Sequence, residues 1–233
     1  MSFVNLEEVR TRIEQERFWR EAELRFLKNQ LGSIEGESSK NTYRKSLVVM
    51  LYAHFEGACK AFLMIYVDGL NRSSLLVEEA SPAIAAATLD DVFRELRNPN
   101  KKCQIFNKDL PEEGKLHRFA RDRDFVEALP SLVSRNVTIK AEQVVDTESN
   151  LKPVVLRKML YRLGLDPDMA RPWAGTINEL LNRRNSIAHG MGHEGVDENT
   201  YDRLERNVYQ VIEQLVDAIS EAIQNEIYLR QET

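Results

Sequence analysis

Toward the end of the chain apolar residues recur at Leu204, Val208, Val211, Leu215, Ile219 and Ala222. Spacings of three and four put them on one stripe of a helix, with Glu205, Glu213 and Asp217 away from it. One long amphipathic helix is therefore predicted from about Asp197 to Arg230. The N-terminal segment follows the same period, with Leu6, Val9 and Ile13, then Leu24, Leu27 and Leu31, and Phe18 and Trp19 between them. "GSIEGESS" ends that helix, and Ser38 or Ser39 is placed to cap a second one running to about Asn71. Another helix is predicted after Ser81–Pro82, with proline in its first turn, reaching Arg97. "NPNKK" then breaks the chain.

The middle is less regular. "KLHRFARDRDFVEALPSLVSR" reads as helix up to Pro130, whereas the β-branched residues of "NVTIKAEQVV" favour an extended piece, a small insertion or edge hairpin. Helix returns at "LKPVVLRKMLYRLGL", ends near Gly164, and resumes from about Pro172. There is no repeat and no low-complexity segment. The expected fold class is all-α: a helical bundle of about four main helices. We expect a single domain over residues 1–233, with 73–146 as a variable insertion region.

Composition supports this picture. A chain of 233 residues, 42% hydrophobic and 30% charged, can bury one sizeable core, and 10 glycines and 7 prolines leave room for long helices. Leu47–Val67 has the length of a membrane span, but His54, Glu56 and Lys60 stand in its middle. Such groups are costly at a bilayer centre, so a core helix is expected and no membrane partner. The charged start "MSFVNLEEVRTRIEQERFW" lacks the apolar stretch of a signal peptide. Cys59 and Cys103, without a CxxC pair, read as reduced thiols of a cytoplasmic protein rather than a disulfide framework or a zinc site. No cofactor is expected. The net charge of −5 argues against a non-specific nucleic-acid coat protein but leaves room for a local basic cleft. Basic residues cluster in "HRFARDR", in "RKMLYR" and at Arg183–Arg184; the first two read as solvated helix faces.

The chemistry concentrates in "LLNRRNSIAHGMGH", Leu180 to His193. Arg184 and His189 are five apart, so on a straight helix their side chains diverge by roughly 140°. They converge only if the helix ends between them or an opposite chain completes the site. Gly190 and Gly192 favour an ending, with His189 in a last turn where the helix dipole favours a cation. Asn185, four before His189, shares its face and is placed to orient the ring. Arginine to grip phosphate, histidine to move a proton and an amide to position it suit phosphodiester chemistry. On spacing alone, a surface arginine beside a capping histidine is the better account of the motif.

"RRNSIAHG" resembles the Arg-x(4–6)-His signature of the HEPN superfamily (higher eukaryotes and prokaryotes nucleotide-binding domain), in its Arg-Asn-x-x-x-His form. "LYAHFEGACKAF", Leu51 to Phe62, is similar to the aromatic-x-Glu-Gly helix of one bacterial branch. "ESNLKPVVLRKMLYRLGL" is similar to the segment that precedes the motif there. The resemblance spans about Lys40 to the C-terminus, apart from Ser73–Asp146. It implies a dimerising bundle and a metal-independent endoribonuclease, in which the ribose 2′-OH attacks the adjacent phosphate to leave 2′,3′-cyclic phosphate and 5′-OH ends. A toxin or anti-phage defence effector, with an antitoxin or regulatory partner protein, fits this branch. Carried onto this chain, His189 serves as acid/base, Arg184 stabilises charge on the phosphate and Asn185 orients. Arg183 is either a second phosphate clamp or a surface arginine, and His193 reads as a loop histidine. Glu56 either holds Arg184 or His189 in the cleft or pairs with Lys60 one turn on. The alternatives are a non-catalytic HEPN-type dimer that binds a partner or nucleotide, and a helical adaptor using the Leu204–Ala222 stripe.

Overall fold

The computed structural model describes residues 3–191 and 194–231. Two long helices open the chain, α1 (Leu6–Asn29) and α2 (Glu37–Arg72). Asn5 caps α1 by accepting from the Glu8 N–H at 3.0 Å. The turn between the helices depends on Gly36, whose φ of 79° suits a residue without Cβ; it, rather than Ser38 or Ser39, occupies the cap position of α2. The final long helix, α9 (Glu198–Gln224), is capped by Asp197, which accepts from the Thr200 N–H at 2.9 Å.

Helix α2 is the axis of the molecule. Leu47, Val48, Leu51, Phe55, Phe62, Leu63, Tyr66 and Leu70 are all at most 1% exposed, and α1, α9 and α8 (Ala174–Ala188) pack around it. The apolar stretch at Leu47–Val67 is thus explained as a helix covered on several sides by protein. Removing one such side chain, Leu51→Ala for example, would cost about 2–5 kcal/mol. Across the bundle, Lys28 of α1 reaches Asp202 and Glu205 of α9 at 2.9 and 2.6 Å, and Tyr43 donates to the Leu27 carbonyl at 3.0 Å.

The middle departs from expectation in instructive ways. The helix predicted over 82–97 is divided into α3 (Pro82–Thr88) and α4 (Asp90–Arg97). Leu89 forms the joint, because its side chain turns into a small separate cluster with Val77 and Leu132. Helix α5 (Gly114–Val133) passes through Pro130 instead of ending there. Val126 and Pro130 are both exposed, so the carbonyl that loses its partner to proline is open to water. The β-branched stretch is extended only over 137–140. Leu76 and Asn136 form an antiparallel bridge, and the Asn71 amide clamps Ile139 through two hydrogen bonds of 2.7 and 3.0 Å. A short turn, α6 (Ala141–Val144), follows. Val137, Ile139, Val144 and Val145 enter the main core, so the ends of the 73–146 region belong to the bundle and its centre packs on the smaller cluster.

Helix α7 (Pro153–Arg162) leads through a 3₁₀ segment, Pro167–Trp173, into α8. Helix α9 stops at Gln224, short of the predicted Arg230, because the tail pairs with an earlier segment instead: Leu229 bridges Ala80, and the Arg230 N–H donates to the Glu79 carbonyl at 2.7 Å.

Candidate active site at the end of helix α8

Helix α8 ends at Ala188, between Arg184 and His189, as the glycines had led us to expect, but among the described residues no hydrogen bond joins the two side chains. His189 is the C-terminal cap residue. Gly190 follows with a φ of 69°; its N–H donates to the Ile187 carbonyl at 3.1 Å, and the Met191 N–H donates to the Ser186 carbonyl at 2.9 Å. This paired closure is the Schellman arrangement, and it fixes the backbone beneath the imidazole. The histidine side chain itself is exposed.

Arg184 lies on another face, in the seam between α8 and α2. Its guanidinium carbon stands 4.3 Å from the centre of the Tyr52 ring. Nη1 donates to Asn185 Oδ1 at 2.9 Å, and Nη2 lies 3.9 Å from Glu56 Oε2. The Arg184 and Glu56 side chains keep only 23% and 20% of their surface exposed. Among the described residues Glu56 forms no ion pair with Lys60; of its two candidate roles, the structure shows the contact with Arg184. Asn185 places its carbonyl oxygen on the arginine, and among the described residues no side-chain hydrogen bond joins it to the His189 ring.

Tyr52 is a member of this cluster that the spacing argument missed. It is 2% exposed, and its hydroxyl accepts from the Leu151 N–H at 2.8 Å. Burial, reinforced by the negative charge of Glu56, pushes the phenol up to about 12, so it remains neutral at any ordinary pH. The signal for it was present in the sequence: Tyr52 and Glu56 are one turn apart on the same face of α2.

Arg183 is held elsewhere. Its Nε donates to Glu179 at 3.0 Å, and the same carboxylate takes a fork of 2.9 and 2.7 Å from Arg203 of α9. Hydrogen bonds from Arg203 hold the Glu179 carboxyl below the usual carboxylate range. The motif's first arginine is thus part of an α8–α9 clamp. His54 is buried, with Nε2 2.9 Å from Glu23 and its ring edge-on to Trp19; burial lowers its affinity for a proton. His193 lies outside the described residues.

The chain that follows the motif is pinned to the start of α2. The Val196 N–H donates to the Asn41 carbonyl at 2.9 Å. Gly195 approaches so closely that a Cβ there would stand 2.6 Å from the Asn41 Cβ. Beside this contact, buried Arg44 binds Glu37 and Asn41 at 2.7 Å each. Gly195 and Val196 are therefore anchored on α2.

The all-α bundle thus fixes an arginine against its central helix and sets a histidine at the cap of the same motif helix. The chain belongs to the HEPN superfamily: the family model described as HEPN_MAE_28990-like HEPN matches residues 9–228. No curated protein and no solved structure matches the chain. The match includes the central segment 73–146, where no motif had been recognised.

Proposed function

We propose that the protein is a metal-independent endoribonuclease. The observation that carries this reading is the contrast between Arg184 and His189. The cation is locked by Tyr52, Asn185 and Glu56, while the imidazole stands exposed at a glycine-closed helix end. A preorganised cation suits charge developing on a phosphate in the transition state, and an accessible imidazole suits proton transfer. In this mechanism His189 takes the proton from a ribose 2′-OH or gives one to the departing 5′ oxygen. The 2′ oxygen forms the new bond to phosphorus, the bond to the 5′ oxygen breaks, and a 2′,3′-cyclic phosphate and a 5′-OH result. Arg184 stabilises the negative charge on the phosphate; Asn185, Glu56 and Tyr52 hold it there. Arg183 supports the site through the Glu179 clamp.

Arg184 packs into the α2 seam while His189 stands exposed at the helix cap, and this separation supports a further part of the reading. HEPN domains commonly bind RNA and dimerise, and we assign the active form to a homodimer. Two copies related by a twofold axis through the motif would bring histidine and arginine from both chains around one phosphate, and would gather positive charge in a protein of net charge −5. A toxin or anti-phage effector restrained by a partner protein in the cytoplasm is the biological role that fits such an activity.

A second reading, a non-catalytic dimer that binds a partner or nucleotide, draws on one observation: the three contacts of Arg184 would also suit a purely structural arginine. Incubating purified protein with total RNA in EDTA, and mapping the cut ends, separates the two. The ribonuclease reading requires new 5′-OH ends that disappear in His189→Ala; an intact RNA population would favour the binding module.

A further inference from the structure

At the C-terminal end of α7 lies a groove of about 630 Å³, with no part in the chemistry above. Its floor is made of small residues, Ala83, Ala86 and Gly164 among them. Gly164 allows the close approach: its φ is 70°, and a Cβ there would meet the Ala83 Cβ at 3.4 Å and the Ser81 Oγ at 3.7 Å. Tyr161 forms one wall and is 71% exposed, a large aromatic surface left to solvent. Arg97 and Arg162 complete the rim. Arg162 donates to the Gln143 carbonyl at 2.7 Å and Arg97 stands 5.7 Å from the Phe93 ring, contacts that leave both charges uncompensated. Among the described residues neither is ion-paired, and the groove's carboxylate, Asp90, is engaged by Arg94 at 2.6 Å.

A floor of small residues, an exposed aromatic ring and two uncompensated arginines match the chemistry of a nucleotide. An apolar helix laid here would bury both guanidinium groups without partners, at a cost. A nucleobase stacks on tyrosine, and its phosphate suits arginine.

We propose that this groove binds a nucleotide of the single-stranded RNA that is cut at the motif, with its base on Tyr161 and its phosphate between Arg97 and Arg162. The proposal rests on the ribonuclease reading for its ligand, and binding can be measured apart from cleavage. The probe is a short fluorescent oligoribonucleotide with 2′-O-methyl groups throughout, which can bind but offers no 2′-OH. Tyr161→Ala should weaken its binding about fivefold or more, and Tyr161→Phe should hold it within about twofold. Arg97→Gln should weaken it and flatten its salt dependence. If wild type binds the probe and both Tyr161→Ala and Arg97→Gln bind equally well, the groove proposal is overturned. Unmodified RNA tested in parallel reports on the other claim. Cleavage by wild type with probe binding indifferent to the groove variants removes the groove alone. Tyr161-dependent binding without cleavage supports the groove and removes the ribonuclease. A wild-type protein that neither binds nor cuts overturns both.

Discussion

Replacing Arg184 with alanine should cost stability as well as activity, whereas His189→Ala should cost activity alone. The guanidinium lies 4.3 Å over Tyr52 in a seam where its side chain is 23% exposed. A cation–π contact of that kind contributes about 1–2 kcal/mol as it becomes desolvated. The hydrogen bond to Asn185 adds about 0.5–1.5 kcal/mol. The 3.9 Å approach to Glu56 adds at most about 1 kcal/mol. These terms are not additive, and a loss of about 2 kcal/mol is expected. For a chain of this size that lowers the melting temperature by about 4–8 °C. His189 is exposed at the helix cap, so its removal should change stability by less than about 0.5 kcal/mol. Arg184→Lys keeps the charge but not the planar stacking, and should fall between. Thermal melts followed by circular dichroism, with cleavage assayed well below every midpoint, measure both effects. An Arg184→Ala protein that melts with wild type would refute the energetic reading of the seam. A His189→Ala protein that melts far lower would show the histidine to be structural.

Three further outcomes follow from the same geometry. Gly195→Ala forces a methyl to within 2.6 Å of the Asn41 Cβ; it should destabilise by about 1–3 kcal/mol and reduce cleavage, as melts and initial rates will show. The Glu179 carboxyl is held low by Arg203 and Arg183, so its contribution is full above the unfolded carboxylate pKa, about 4.3, and is lost as pH falls through the lower folded value; urea titrations below pH 5 should therefore show a shallower loss of stability for Glu179→Gln than for wild type. Light scattering should give about twice 26.9 kDa, and specific activity should fall on dilution, whereas a fully active monomer would refute the composite site.

The long helices were legible because each buries one continuous stripe: Leu204 to Ile219 and Leu6 to Ile13 declare α9 and α1 by period alone. Helix α2 required a second argument, since apolar residues surround it and only the cost of His54, Glu56 and Lys60 in a bilayer marked it as a core helix. The sequence also brought Arg184, Asn185 and Glu56 into one hypothesis, and they do meet. What periodicity could not disclose was long-range pairing. Ile139 is extended because Asn71 clamps it from 68 positions away, and the tail leaves α9 because Ala80 and Glu79 offer partners. Tyr52 escaped notice for a related reason: an aromatic at helical spacing looks like core until the residue across the seam is known. The end of α8 was legible as well: the helix stops at Ala188, His189 caps it and Gly190 closes it with a positive φ, but periodicity could not say that Arg184 would turn into the α2 seam while the histidine stayed in solvent.

The central claim is that Arg184 and His189 cut RNA through its own 2′-OH. One oligoribonucleotide containing the mapped cut site, and its twin with a single 2′-deoxyribose at that site, test it in EDTA with mass spectrometry of the products. The account predicts a 2′,3′-cyclic phosphate fragment and a 5′-OH fragment from the first and no cleavage at that position in the second. Cleavage of the deoxy twin at the same bond, or activity that returns only with a divalent metal, would contradict it.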